Sequence, residues 1–208
     1  MSIFQPIEGG EFNRERAVSL AEHHHERAIL PSDHVWRLRD VMPMNFESYC
    51  AVVTPWRAHV DGRSLVFEDF DHAYALFEKP RPANLTLEGW HDDFQILEFS
   101  HELPALLRDL LRKFSRDARS VFVRCDHGGE TNYWKIERDI FLELSDPFAE
   151  MPQPFGAFDV FPELSSWYLV RRDDEPLIYL GGAREMIDAI CRAMPEKTVR
   201  LKLDDRYY

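Results

Sequence analysis

An α+β fold, with an antiparallel or mixed sheet and helices packed mainly on one face, is predicted by three observations. The C-terminal end reads as hairpin, helix and strand in succession, an order that suits an antiparallel sheet better than a doubly wound parallel one. Residues 101–114 carry one continuous apolar stripe, the mark of a helix lying on a core. At 208 residues, with 45% hydrophobic and 30% charged side chains, the chain is long enough for one domain with a large core and needs no metal or disulfide staple. One domain over 1–208 is therefore expected.

The elements follow in order. Residues 11–29 lack Pro and Gly and contain good helix formers, which predicts an N-terminal helix ended by Pro31, Ser32 and Asp33. The stretch from Glu47 to Val60 is rich in Tyr, Val, Thr and Trp and reads as a strand, with a bulge, edge or break at Pro55. A short helix is expected from Phe67 to Phe77, stopped by the run from Lys79 to Pro82.

From His101 to Phe114, Leu103, Leu106, Leu107, Leu110, Leu111 and Phe114 line one face. Ser100 stands at the N-cap, and Arg112 and Lys113 suit the C-terminal dipole. A strand from Ser120 to Cys125, a turn over Asp126–Gly129, and one or two strands between Tyr133 and Leu144 come next. Residues 145–165 contain four prolines and four phenylalanines. That composition predicts an irregular segment packed as a lid on the core. Residues 166–203 supply the hairpin (Trp167–Arg171, Leu177–Leu180), a helix with Ile187, Ile190, Cys191 and Met194 on one face, and a last strand from Val199 to Leu203.

Charge narrows the range of partners. Twenty-five basic against thirty-seven acidic side chains give −12, which repels a phosphate backbone and an anionic membrane and favours a basic protein. Met1 to Gly10 has neither the basic nor the apolar region of a signal peptide, so a cytoplasmic location is expected. Cys50, Cys125 and Cys191 are odd in number, far apart and flanked by apolar residues; they read as small buried hydrophobes.

Several clusters could carry chemistry. His23, His24 and His25 are adjacent on a helix and point about 100° apart, the wrong spacing for one metal ion. Asp69, Asp71 and His72, with His91, Asp92 and Asp93, could supply a divalent-metal site for phosphoester hydrolysis, or be capping carboxylates and a solvated turn. Cys125 and His127, two apart at a strand end, could pair as nucleophile and base. Gly181 and Gly182 lie where a phosphate-binding turn would, but neither nucleotide signature is complete, and close helix-on-strand packing accounts for them. No cofactor is expected.

Phe161-Pro162, Trp167, Val170, Tyr179-Leu180-Gly181-Gly182-Ala183 and the helix from Met186 to Ala189 resemble a group of uncharacterised bacterial cytoplasmic proteins. That group carries Trp-Pro, a Trp-containing strand, Tyr-Val/Leu-Gly-Gly-Ser/Ala and a helix. Phe46–Pro55 is similar to its early strand; Phe161 for Trp and Ala183 for Ser are departures. The resemblance implies a fold and a bacterial origin and transfers no catalytic residue.

The functional expectation is a non-catalytic acidic binding protein, most concretely an immunity or antitoxin-type inhibitor of a basic protein, acting as monomer or homodimer. Asp173, Asp174 and Glu175 at the hairpin tip are its candidate contacts. The alternatives are a small-molecule pocket beneath the phenylalanine-rich segment, or a metal-dependent hydrolase built on Asp69–Asp93.

Overall fold

The computed structural model describes residues 2–20, 37–60, 63–72, 95–100, 102–127, 129–152, 156–172 and 176–205. In chain order these form β1 (Gln5–Pro6), α1 (Gly9–Leu20), a 3₁₀ turn (Leu38–Asp40), β2 (Ser48–Val53), β3 (Trp56–Val60), β4 (Arg63–Phe67) and β5 (Gln95–Phe99). Then come α2 (Ala105–Phe114), β6 (Ser120–His127), β7 (Glu130–Glu137), α3 (Arg138–Glu143), β8 (Ala157–Pro162), β9 (Trp167–Arg171), β10 (Leu177–Gly182), α4 (Arg184–Ala193) and β11 (Thr198–Leu201).

The strands make an eight-stranded sheet, ordered β1-β7-β6-β8-β9-β10-β2-β11, and a three-stranded sheet, β4-β3-β5. Every pairing is antiparallel. The large sheet is buried on both faces, and the period-two alternation of its strands sorts side chains into two cores. Val121, Val123, Phe158, Val160, Leu169, Ile178, Leu180, Cys50 and Val52 meet Leu107, Leu111, Phe141, Leu142, Met186, Ile187 and Ile190 of α2, α3 and α4. On the other face Phe122, Phe161, Tyr168, Val170, Tyr179 and Ala51 meet Phe12 of α1, Leu38, and Trp56, Ala58 and Phe67 of the small sheet. Three of the four described helices thus share one face. Among the described residues no helix is long and apolar enough to cross a membrane.

Local corrections have local causes. The helix expected over 101–114 starts at Ala105 behind Pro104, and Ser100 is not its cap: Ser100 Oγ accepts the Glu102 N–H at 3.2 Å. A proline fits at the helix threshold, where no N–H is needed. The Glu47–Val60 stretch is broken at Thr54-Pro55 into β2 and β3, which belong to different sheets. Phe67 ends β4 rather than opening a helix; helical backbone appears only at 70–72, and 73–77 lie outside the described residues. Past Glu137 the chain turns into α3, because Phe141 and Leu142 then both reach the helix-side core. The N-terminal helix begins at Gly9, and 21–29 lie outside the described residues.

The largest correction concerns the segment expected to be irregular. Residues 157–162 form β8, an inner strand between β6 and β9, and Phe158 and Phe161 fill opposite cores. Pro162 is tolerated because it is the last residue of the strand. Gly182, expected in a turn, ends β10, and the terminal methyl of Met186 from α4 occupies the space a Cβ would take.

Candidate functional site

The β8–β9 connection concentrates features that folding alone does not favour. Pro162 C=O accepts the Ser165 N–H at 2.9 Å, closing a β-turn with Leu164 in its third position. Leu164 has φ +72° and Ser165 φ +37°. Such a turn calls for Gly or Asn, and an ordinary residue in the left-handed region costs about 1–2 kcal/mol. The turn is pinned from below: Glu163 N–H donates to Ser120 C=O at 2.9 Å, and the Glu163 carboxylate accepts the Arg119 N–H at 3.2 Å. Leu164 is thereby held outward with 64% of its surface exposed, the most exposed large apolar residue described. Among the described residues the buried hydroxyls of Ser165 and Ser166 find no hydrogen-bond partner. Strain, an exposed leucine and unsatisfied hydroxyls thus meet at one tip.

A charge cluster lies toward the other end of the same sheet. Arg124 of β6 reaches Asp159 of β8 at 2.7 Å and Asp126 at 2.5 Å, and Thr131 Oγ1 donates to Asp126 at 2.7 Å. Burial by itself would lower the Arg124 pKa; the Asp159 carboxylate, then that of Asp126, more than offset this and raise it. The guanidinium stays charged and ties β6 to β8. A second buried cation, Arg171 of β9, lies over the rings of Phe148 (5.1 Å) and Phe158 (5.4 Å) on the helix-side face.

A pair of thiols sits at the open edge. Cys50 of β2 is fully buried, whereas Cys191 of α4 is half-buried and not the core residue expected from its helical stripe. Cys50 and Cys191 each bear on the other's ionisation. Arg200 of β11 is the cross-strand partner of Cys50 and bonds Asp188, one turn before Cys191 on α4. The Cys191 pKa is drawn down to about 6, first by Cys50 and then, against the opposing effect of burial, by the Arg200 charge. Cys50 moves the opposite way, raised first by Cys191. Thr198 of β11 donates its hydroxyl proton to Met194 C=O at 2.8 Å.

The candidates from sequence are not gathered into one place. Asp173, Asp174 and Glu175 lie outside the described residues, as do His23, His24, His25, His91, Asp92 and Asp93. Asp69 caps the turn after it, accepting the His72 N–H at 2.7 Å; Asp71 and His72 are exposed, and the His72 ring packs edge-on against Phe67. Among the described residues no three His, Cys, Asp or Glu side chains are placed to hold a metal. Cys125 is buried in the helix-side core while His127 is exposed at the strand end.

Around the strained tip, Phe161-Pro162 lead in, Trp167 leads out, and Tyr179–Gly182 complete the next strand. Trp167 Nε1–H donates to Leu111 C=O at 3.3 Å, fixing the start of β9 against α2. No protein-family model, curated protein or solved structure matches the chain.

Proposed function

We propose that the chain is a non-catalytic acidic binding protein, an immunity or antitoxin-type inhibitor of a basic protein partner. The observation that carries this reading is Leu164, held exposed in a backbone conformation that leucine disfavours. A buried apolar anchor ringed by polar residues is the usual energetic centre of a protein interface. The formal charge of −12 adds long-range attraction for a basic partner and hence fast association. In this reading Leu164 enters an apolar pocket on the partner, and the acidic surface brings that partner in.

Capture from the source cells with tagged protein tests it. A basic protein should be recovered in equimolar amount at low salt, and its association rate should fall at least about tenfold by 0.5 M salt. Reversing Asp173, Asp174 and Glu175 should slow association further while changing dissociation little. Recovery of an acidic partner, or association indifferent to salt, would sink the proposal.

A further inference from the structure

The charge of the whole molecule and the charge at its tip differ. The chain carries −12, yet in the turn after α2 and across from it at the end of β7 the exposed charges balance. There Arg116 and Arg119 stand against Asp117 and Glu137. Glu163 is half-buried, and its carboxylate already accepts the Arg119 N–H at 3.2 Å. Long-range attraction of a basic partner therefore arises on the rest of the surface, and contact at the tip is decided by a local match.

One of these charges is set beside the leucine by backbone bonds. The β6–β8 register runs to Val121↔Pro162 and is continued by the Glu163 N–H, which donates to Ser120 C=O at 2.9 Å. One step further along the two chains come Arg119 and Leu164. The Arg119 backbone is held from two sides, by the Glu163 carboxylate on its N–H and by the Arg138 N–H on its C=O at 3.0 Å. Its side chain is exposed and, among the described residues, makes no ion pair. Arginine is one of the residues most enriched at the energetic centres of protein interfaces. Its stem packs on apolar surface while its planar fork takes a carboxylate through two hydrogen bonds.

We propose that the partner meets this tip with an apolar pocket for Leu164 and a carboxylate on the pocket's rim for the Arg119 guanidinium, although the partner as a whole is basic. The inference rests on the binding reading and narrows it. The acidic surface sets how fast the partner arrives, and the leucine–arginine pair sets how long it stays. A basic protein whose matching pocket is rimmed only by lysine and arginine is repelled by Arg119, so the residue that holds the right partner also excludes wrong ones.

Arg119→Glu is the test, because net charge and local contact predict opposite signs for it. The substitution takes the formal charge from −12 to −14, one positive charge lost and one negative gained. Attraction by net charge alone then predicts a complex with a basic protein that forms faster and lasts at least as long. With the partner captured by the tagged protein, dissociation from Arg119→Glu should instead be at least about tenfold faster than from the wild type. Arg119→Gln puts no second carboxylate near Glu163 and is the variant to read where Arg119→Glu loses stability in urea; it should speed dissociation at least about threefold. Arg116→Glu makes the same charge change three residues earlier and should alter dissociation by less than about twofold. Dissociation unchanged or slower in both Arg119 variants, or an equal loss from Arg116→Glu, would overturn the proposal while leaving the binding reading in place. Failure to capture any basic protein is a different result: it removes the binding reading, and this inference with it.

Discussion

Gly156→Ala is expected to destabilise the protein by about 3 kcal/mol, read as a lowered urea midpoint with unchanged slope. Gly156 has φ +130°, where side chains are strongly disfavoured. A Cβ there would lie 2.4 Å from the Asp126 carbonyl oxygen and 3.0 Å from Cys125 Sγ. Neither neighbour can swing away. The carbonyl belongs to the β6 backbone, paired with β8 next door at Ala157–Asp126, and Cys125 is fully buried. Relief therefore requires parting two inner strands at the point where the chain enters β8. Gly129, with φ +85° and open space around it, is the control; Ala there should cost about 1 kcal/mol, the backbone part alone. Equal losses at the two sites would mean that the close approach at Gly156 is not what constrains it.

Arg124→Met should cost about 3 kcal/mol at pH 7, or roughly 6–12 °C in Tm for a chain of this size. Met keeps much of the side-chain volume and removes the charge that Asp159 and Asp126 share. The Asp159 carboxylate is only 6% exposed, so water cannot replace the guanidinium there. A double-mutant cycle separates charge from packing: in an Asp159→Asn background Arg124→Met should cost markedly less than in the wild type, and an equal cost in both backgrounds would assign the loss to packing.

Parts of the structure were legible because their residues repeat with the period of the element. The β9–β10 hairpin was predicted from two apolar runs flanking turn residues, and α4 and the core face of α2 from i, i+3, i+4 spacing. β8 was not, because its residues lie among prolines and glycine with no turn marking a strand's limits. Its phenylalanines and terminal proline look like loop composition until Phe158 and Phe161 are seen in opposite cores. α3 has six residues, too few for a periodic signal, and follows β7 without a break.

The candidate sites were less legible for a different reason. A leucine in the left-handed region is a backbone fact that composition does not announce. The half-buried position of Cys191 depends on how α4 lies on the sheet, so local reading made it a core residue. Asp69 read equally as a metal ligand or a capping carboxylate, and the His72 N–H beside it decides for the cap.

The binding account rests on Leu164, and its most direct test is the dissociation rate of the captured partner from Leu164→Gly, with stability followed in parallel. Glycine relieves the turn, so the free protein should hold its stability or gain up to about 1 kcal/mol. Loss of the apolar anchor should speed dissociation at least about tenfold. A more stable protein that releases its partner faster is the predicted result; unchanged dissociation would show that Leu164 is not the anchor and contradict the account.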